Sequence, residues 1–116
     1  YNVGRLAQVA GLAALDEIVW AEKYWEATRA RRDKFATELC GNLGLHVYPS
    51  EANFVFVECG DRDASDIQEK LAGRRILVRR FAEDPLFSNA LRISIGSEEE
   101  MFRLMEALTE ILRFKN

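Results

Sequence analysis

The spacing of apolar residues changes twice along this chain, and those changes restrict its fold more than any other feature. Up to about Cys40, apolar and small residues recur every three or four positions, the period of a helix face. Gly41, Asn42 and Gly44 then supply residues that tolerate the left-handed backbone in which helices stop, and the pattern turns to β-branched and aromatic runs. From Ser97 the helical period returns. Helices are therefore expected at both ends, with strands between them.

Asn2 can cap a first helix over the alanine- and leucine-rich run to Leu15, expected to be short and largely buried. Asp16 and Glu17 restart a second, because negative charge is favoured at a helix N-terminus. Ile18, Ala21, Trp25, Thr28, Phe35 and Leu39 form its apolar face, and to Cys40 it spans roughly 35 Å at 1.5 Å per residue. Residues 45–48 and 53–57 read as strands separated by Pro49, Ser50 and Glu51. Cap candidates between Asp61 and Asp66 open a third helix, with Ile67, Leu71 and Ala72 inward and Gly73 as its stop. A third strand is expected at 76–78, then a loop containing Pro85. In the fourth, Leu91, Ile93 and Ile95 alternate with Arg92 and Ser94, which sends the arginine and serine to one face. Ser97 and Glu100 match a capping box ahead of the stripe Met101, Leu104, Met105, Leu108, Ile111 and Leu112. The expected class is α+β: a two-layer sandwich with a four-stranded, mostly antiparallel or mixed sheet packed by helices and preceded by a long N-terminal helix.

At 116 residues such a domain buries roughly two-thirds of its unfolded surface, enough for one core. With 48% apolar and 30% charged residues, composition excludes a disordered tail. A net charge of -3 offers nothing to nucleic acid or to an anionic membrane. Charges interrupt every apolar stretch before the ~18 residues of a membrane span, and the default compartment is cytoplasmic. Cys40 and Cys59 lack metal or redox spacing and are expected as reduced, half-buried thiols. Because the chain opens at Tyr1, without methionine and already near a helical pattern, an excised fragment is expected.

Few residues promise chemistry. His46 lies in a strand of core character and reads as structural. Glu98, Glu99 and Glu100 complement a helix dipole, and the basic run at 29–34 reads as a solvated helix face. Arg79 and Arg80 end the third strand, whereas Arg92 lies within the fourth. An arginine between leucine and isoleucine is costly unless its guanidinium meets an anion or reaches solvent, and both readings stand for Arg92.

Four segments then fall in an informative order: Tyr1-Asn2-Val3 with Arg5-Leu6-Ala7-Gln8; Tyr48-Pro49-Ser50-Glu51-Ala52-Asn53-Phe54; Ile76-Leu77-Val78-Arg79; and Leu91-Arg92-Ile93-Ser94-Ile95-Gly96 with Glu98-Glu99. Together they resemble the C-terminal small domain of histidinol-phosphate aminotransferases, within the fold-type I enzymes that use pyridoxal phosphate. The resemblance implies a connecting segment over 1–15, the domain proper over 16–116, and amino transfer between an amino acid and a 2-oxo acid. Histidinol phosphate and 2-oxoglutarate are the family's usual pair, in histidine biosynthesis. It also implies a homodimer and a separate large domain of the same chain that binds the cofactor. The Schiff-base lysine of such enzymes lies in a Ser-x-x-Lys or Ser-Lys motif; Lys23, Lys34, Lys70 and Lys115 fall on helices outside one, so the chain alone is expected to be inactive. Arg92 matches the arginine that clamps the substrate α-carboxylate, and Arg79 the one that approaches the substrate phosphate.

Two departures matter. Arg75 precedes Ile76 where the family often has glycine, so the turn is expected to shift, and Gly4 replaces an Asn or Ser in a loop near the partner subunit's pocket. The alternatives are the small domain of a related enzyme, such as a phosphothreonine decarboxylase or another aminotransferase, and a free-standing α+β module that binds anions through Arg79 and Arg92.

Overall fold

The computed structural model describes residues 2–113, so the expectations placed on Tyr1 and Lys115 lie outside the described residues. The elements are α1 (Arg5–Asp16), α2 (Ile18–Leu43), β1 (His46–Tyr48), β2 (Phe54–Glu58), α3 (Ala64–Gly73), β3 (Arg79–Arg80), β4 (Ala90–Ser94) and α4 (Glu98–Arg113). The strands form one sheet in the order β1-β2-β4-β3, with every neighbouring pair antiparallel. Helices cover one face. The α+β expectation therefore holds, as an open-faced two-layer sandwich.

The core lies between that face and the helices. Val55, Val57, Leu91 and Ile93 meet Phe35 and Leu39 of α2, Ile67 and Leu71 of α3, and Leu104 and Leu108 of α4, all nearly excluded from solvent. Burying each such aliphatic side chain contributes about 1.5–3 kcal/mol. Local hydrogen bonds set where the elements stop and start. At the end of α2, Gly44 is left-handed (φ 64°), which lets the Leu45 N–H donate to the Leu39 carbonyl at 3.2 Å. Asp63 caps α3 by accepting from the Ser65 N–H at 2.8 Å. The capping box of α4 is reciprocal: the Ser97 N–H donates to Glu100 Oε2 at 2.7 Å, and the Glu100 N–H to Ser97 Oγ at 3.3 Å.

The structure corrects the sequence reading in several places. Instead of being largely buried, α1 buries none of its residues. Nor does the N-terminal half of α2 join the core: Trp25 is half-exposed, and the buried positions of the helix are Arg32, Phe35, Leu39 and Leu43. The sheet is simply too short to underlie a helix of this length, so only its C-terminal half finds apolar partners. Arg32, expected on a solvated face, is buried; it donates to Asp33 Oδ1 at 2.8 Å and to the Ala52 carbonyl at 3.2 Å, tying α2 to the β1–β2 loop.

The third strand is Arg79–Arg80 rather than 76–78. Ile76 and Val78 still pack against the core, and the Val78 carbonyl accepts from Gln68 Nε2 at 2.9 Å, tying this segment to α3. Gly73 closes α3, and Arg75 itself adopts the left-handed conformation (φ 61°) that a glycine would take at no steric cost. The thiols are unequal, since Cys40 is exposed and Cys59 buried, and both are free.

Candidate functional site

The uncovered face of the sheet carries the polar residues of interest. Pairing sets Tyr48 opposite Phe56, Phe56 opposite Arg92, and Arg92 opposite Arg79, so one row crosses all four strands. Side chains alternate along a strand, and Val57 and Leu91 in the next row point to the core. Arg80, paired with Leu91, belongs to that second row and not to the face of Arg79.

Arg79 and Arg92 are therefore cross-strand neighbours of like charge, an arrangement that destabilises a sheet unless something negative offsets it. No carboxylate of the described residues does so. The ion pairs are Arg32 with Asp33, Lys34 with Glu38, Lys70 with Asp66 and Arg74 with Glu110. Instead, each guanidinium leans over a ring: Arg92 Cζ lies 5.4 Å from the centroid of Phe54, and Arg79 Cζ lies 5.3 Å from that of Phe81. Arg92 Nε is buried without a hydrogen-bond partner, whereas Arg79 is exposed and borders a hollow of about 620 Å³ formed with residues 80–85. A half-buried planar fork with an unfilled donor is suited to a carboxylate or phosphate.

Sequence reading missed the aromatic part of this face. Phe56 lies 5.8 Å from Tyr48, 5.7 Å from Phe81 and 5.2 Å, edge to face, from Phe87. The alternation of Phe54 and Phe56 with Val55 and Val57 was a usable signal, because it places both rings on the side of Arg92. Nothing local announces Phe81 and Phe87, which arrive from the β3–β4 loop. At the far edge the Tyr48 hydroxyl donates to Glu58 Oε2 at 3.2 Å, and that bond and the carboxylate's charge push the phenol pKa up. His46 is exposed rather than structural, its ring perpendicular to Tyr48 at 4.7 Å. Among the described residues no group of His, Cys, Asp and Glu could hold a metal ion, and no helix is long and apolar enough to cross a membrane.

A layer of helices behind an antiparallel sheet is an α+β fold that matches the corresponding part of aminotransferase structures. The family model for aminotransferase class I and II matches residues 1–108, and the chain belongs to that family. It is 44% identical over 111 residues to the histidinol-phosphate aminotransferase of Citrifermentans bemidjiense, a match covering 96% of this chain and 31% of the relative. The chain thus spans about a third of the length of the curated relatives it matches. Among solved structures, the histidinol-phosphate aminotransferase of Sinorhizobium meliloti in complex with pyridoxal-5'-phosphate superposes with a TM-score of 0.70 at 31% identity, over 92% of this chain and 29% of that one. A decarboxylase from Sulfurospirillum multivorans superposes with a TM-score of 0.78 at 25% identity, over 97% and 33%.

The family implies pyridoxal phosphate, and the described residues do not fit as its holder. Lys23 and Lys34 lie on α2 and Lys70 on α3, helices behind the sheet, and Lys34 and Lys70 are paired with Glu38 and Asp66. No chemical step through the cofactor is therefore assigned to these residues.

Proposed function

We propose that this chain is the C-terminal small domain of a pyridoxal-phosphate-dependent aminotransferase acting on histidinol phosphate and 2-oxoglutarate, with residues 1–15 as the connecting segment and 16–116 as the domain proper. Arg92 binds the α-carboxylate, which 2-oxoglutarate carries, and Arg79 approaches the phosphate of histidinol phosphate. The cofactor and its lysine belong to the enzyme's own large domain, the working enzyme is a cytoplasmic homodimer, and the chain alone is inactive.

The observation carrying this reading is Arg92, half-buried with its Nε unpartnered and set opposite a second arginine on a face that the helices leave open. In the full-length enzyme, Arg92→Lys removes the two-pronged fork but keeps the charge. Losing one charge-assisted hydrogen bond of roughly 1.5–3 kcal/mol raises the KM for 2-oxoglutarate by about ten- to a hundredfold. Arg79→Ala raises the KM for histidinol phosphate. An Arg92→Lys enzyme with unchanged KM refutes the carboxylate role. The likeness to a decarboxylase keeps one second reading alive, in which the same anion clamp serves carbon dioxide release. Assaying the full-length enzyme for both products separates the two.

A further inference from the structure

The two arginines face each other in the sheet, yet their charged ends do not share a resting place. Arg92 does not lie over its direct partner Phe56 but over Phe54, the residue paired with Ser94, so its side chain runs along the strand towards that end. Arg79 instead rests over Phe81, two residues beyond it and past the end of β3. We propose that Phe54 and Phe81 are positioning residues that draw the two guanidiniums apart and hold each in its anion-binding pose, one for a carboxylate and the other for a phosphate. The inference rests on the roles given above to Arg92 and Arg79.

Three physical points support it. First, like charges directly opposite in a sheet repel, and no acidic side chain of the described residues forms an ion pair with either arginine, so what each guanidinium lies against is a ring. Second, an aromatic face attracts a cation without occupying its N–H groups, which lie in the guanidinium plane. A carboxylate of this chain would hold Arg92 equally well but would use up the donors a substrate needs. Third, Phe54 is itself restrained. The preceding Ala52 carbonyl accepts from buried Arg32, the Asn53 carbonyl accepts from the Ile95 N–H at 2.8 Å, and the Phe54 carbonyl accepts from Ser50 Oγ at 2.6 Å. A ring on so fixed a backbone can set a pose rather than follow it.

A stepwise series of fluorinated phenylalanines at position 54 of the full-length enzyme tests this, because fluorine drains the negative ring face with little change of shape. The KM for 2-oxoglutarate should climb with each fluorine, to roughly three- to tenfold for a half-buried pair, while kcat changes little. Phe54→Tyr should stay near wild type. The same series at position 81 should move the KM for histidinol phosphate, by about two- to fivefold as befits an exposed site. A KM indifferent to ring fluorination while Arg92→Lys still raises it overturns the positioning role and leaves the carboxylate role standing. If Arg92→Lys is silent as well, both fall. Loss of kcat and thermal stability in parallel, without a trend in KM, marks Phe54 as mere packing and also overturns the proposal.

Discussion

Replacing Arg75 by glycine should make the protein more stable, although the change deletes a long side chain. Arg75 follows the last turn of α3 with φ 61°, and the closing bonds depend on that conformation: its N–H donates to the Ala72 carbonyl at 2.9 Å, and the Ile76 N–H reaches back to Leu71 at 3.0 Å. A side chain held left-handed costs roughly 1–2 kcal/mol from the clash of Cβ with the backbone. Glycine removes that cost but returns about 0.5–1 kcal/mol to the unfolded chain as added freedom. The arginine itself is exposed and takes part in none of the ion pairs of the described residues, so little else is lost. The net gain lies at about 0–1.5 kcal/mol, and its mid-value of roughly 0.75 kcal/mol raises Tm by about 3–6 °C for a domain of this size. Thermal unfolding followed by far-UV circular dichroism measures it, with Arg75→Ala as the control that deletes the same charge but keeps Cβ. An Arg75→Gly protein that melts lower, or an Arg75→Ala protein that gains as much, refutes the argument from backbone strain.

Three further outcomes follow from which side chains are buried. Leu71 is fully excluded from solvent between α3, α4 and the sheet, so Leu71→Ala should cost about 2–5 kcal/mol in urea unfolding. Burial pushes the Cys59 thiol from 9.0 up to about 11. Because the unfolded thiol ionises first, the stability tied to the neutral form is complete below pH 9.0 and is lost as pH rises through about 11. The slope of stability against pH in that window should shrink in Cys59→Ala. At neutral pH, iodoacetamide should label exposed Cys40 well before Cys59, as mass spectrometry of the native protein will report.

The elements were legible where short-range chemistry dictates them. The Ser97 and Glu100 capping box and the alternation around Arg92 involve residues within a few positions of one another and stand as read, while of the stop candidates Gly41, Asn42 and Gly44 the helix passes through the first two and closes at the third. The segments that misled were those whose outcome depends on distant partners. The apolar pattern of α1 is real, but a pattern says which residues seek cover and not whether this chain provides it. The run at 76–78 is suited to a strand, yet Ile76 and Val78 pack against the core and the Val78 carbonyl accepts from Gln68 of α3, contacts that no local pattern announces.

The same division runs through the site. Sequence by itself determined the α+β class, the family through the order of its four motifs, and the placing of Arg92 on the face opposite Leu91 and Ile93, because a period of two leaves no other choice. Only the tertiary structure decided that Arg79 stands directly across from Arg92, and that Phe54 and Phe81 lie beneath their guanidiniums. Strand register and loop return are settled by the whole packed sheet, where residues far apart in the chain compete for the same neighbours. Two arginines thirteen positions apart thus become cross-strand neighbours on one open face.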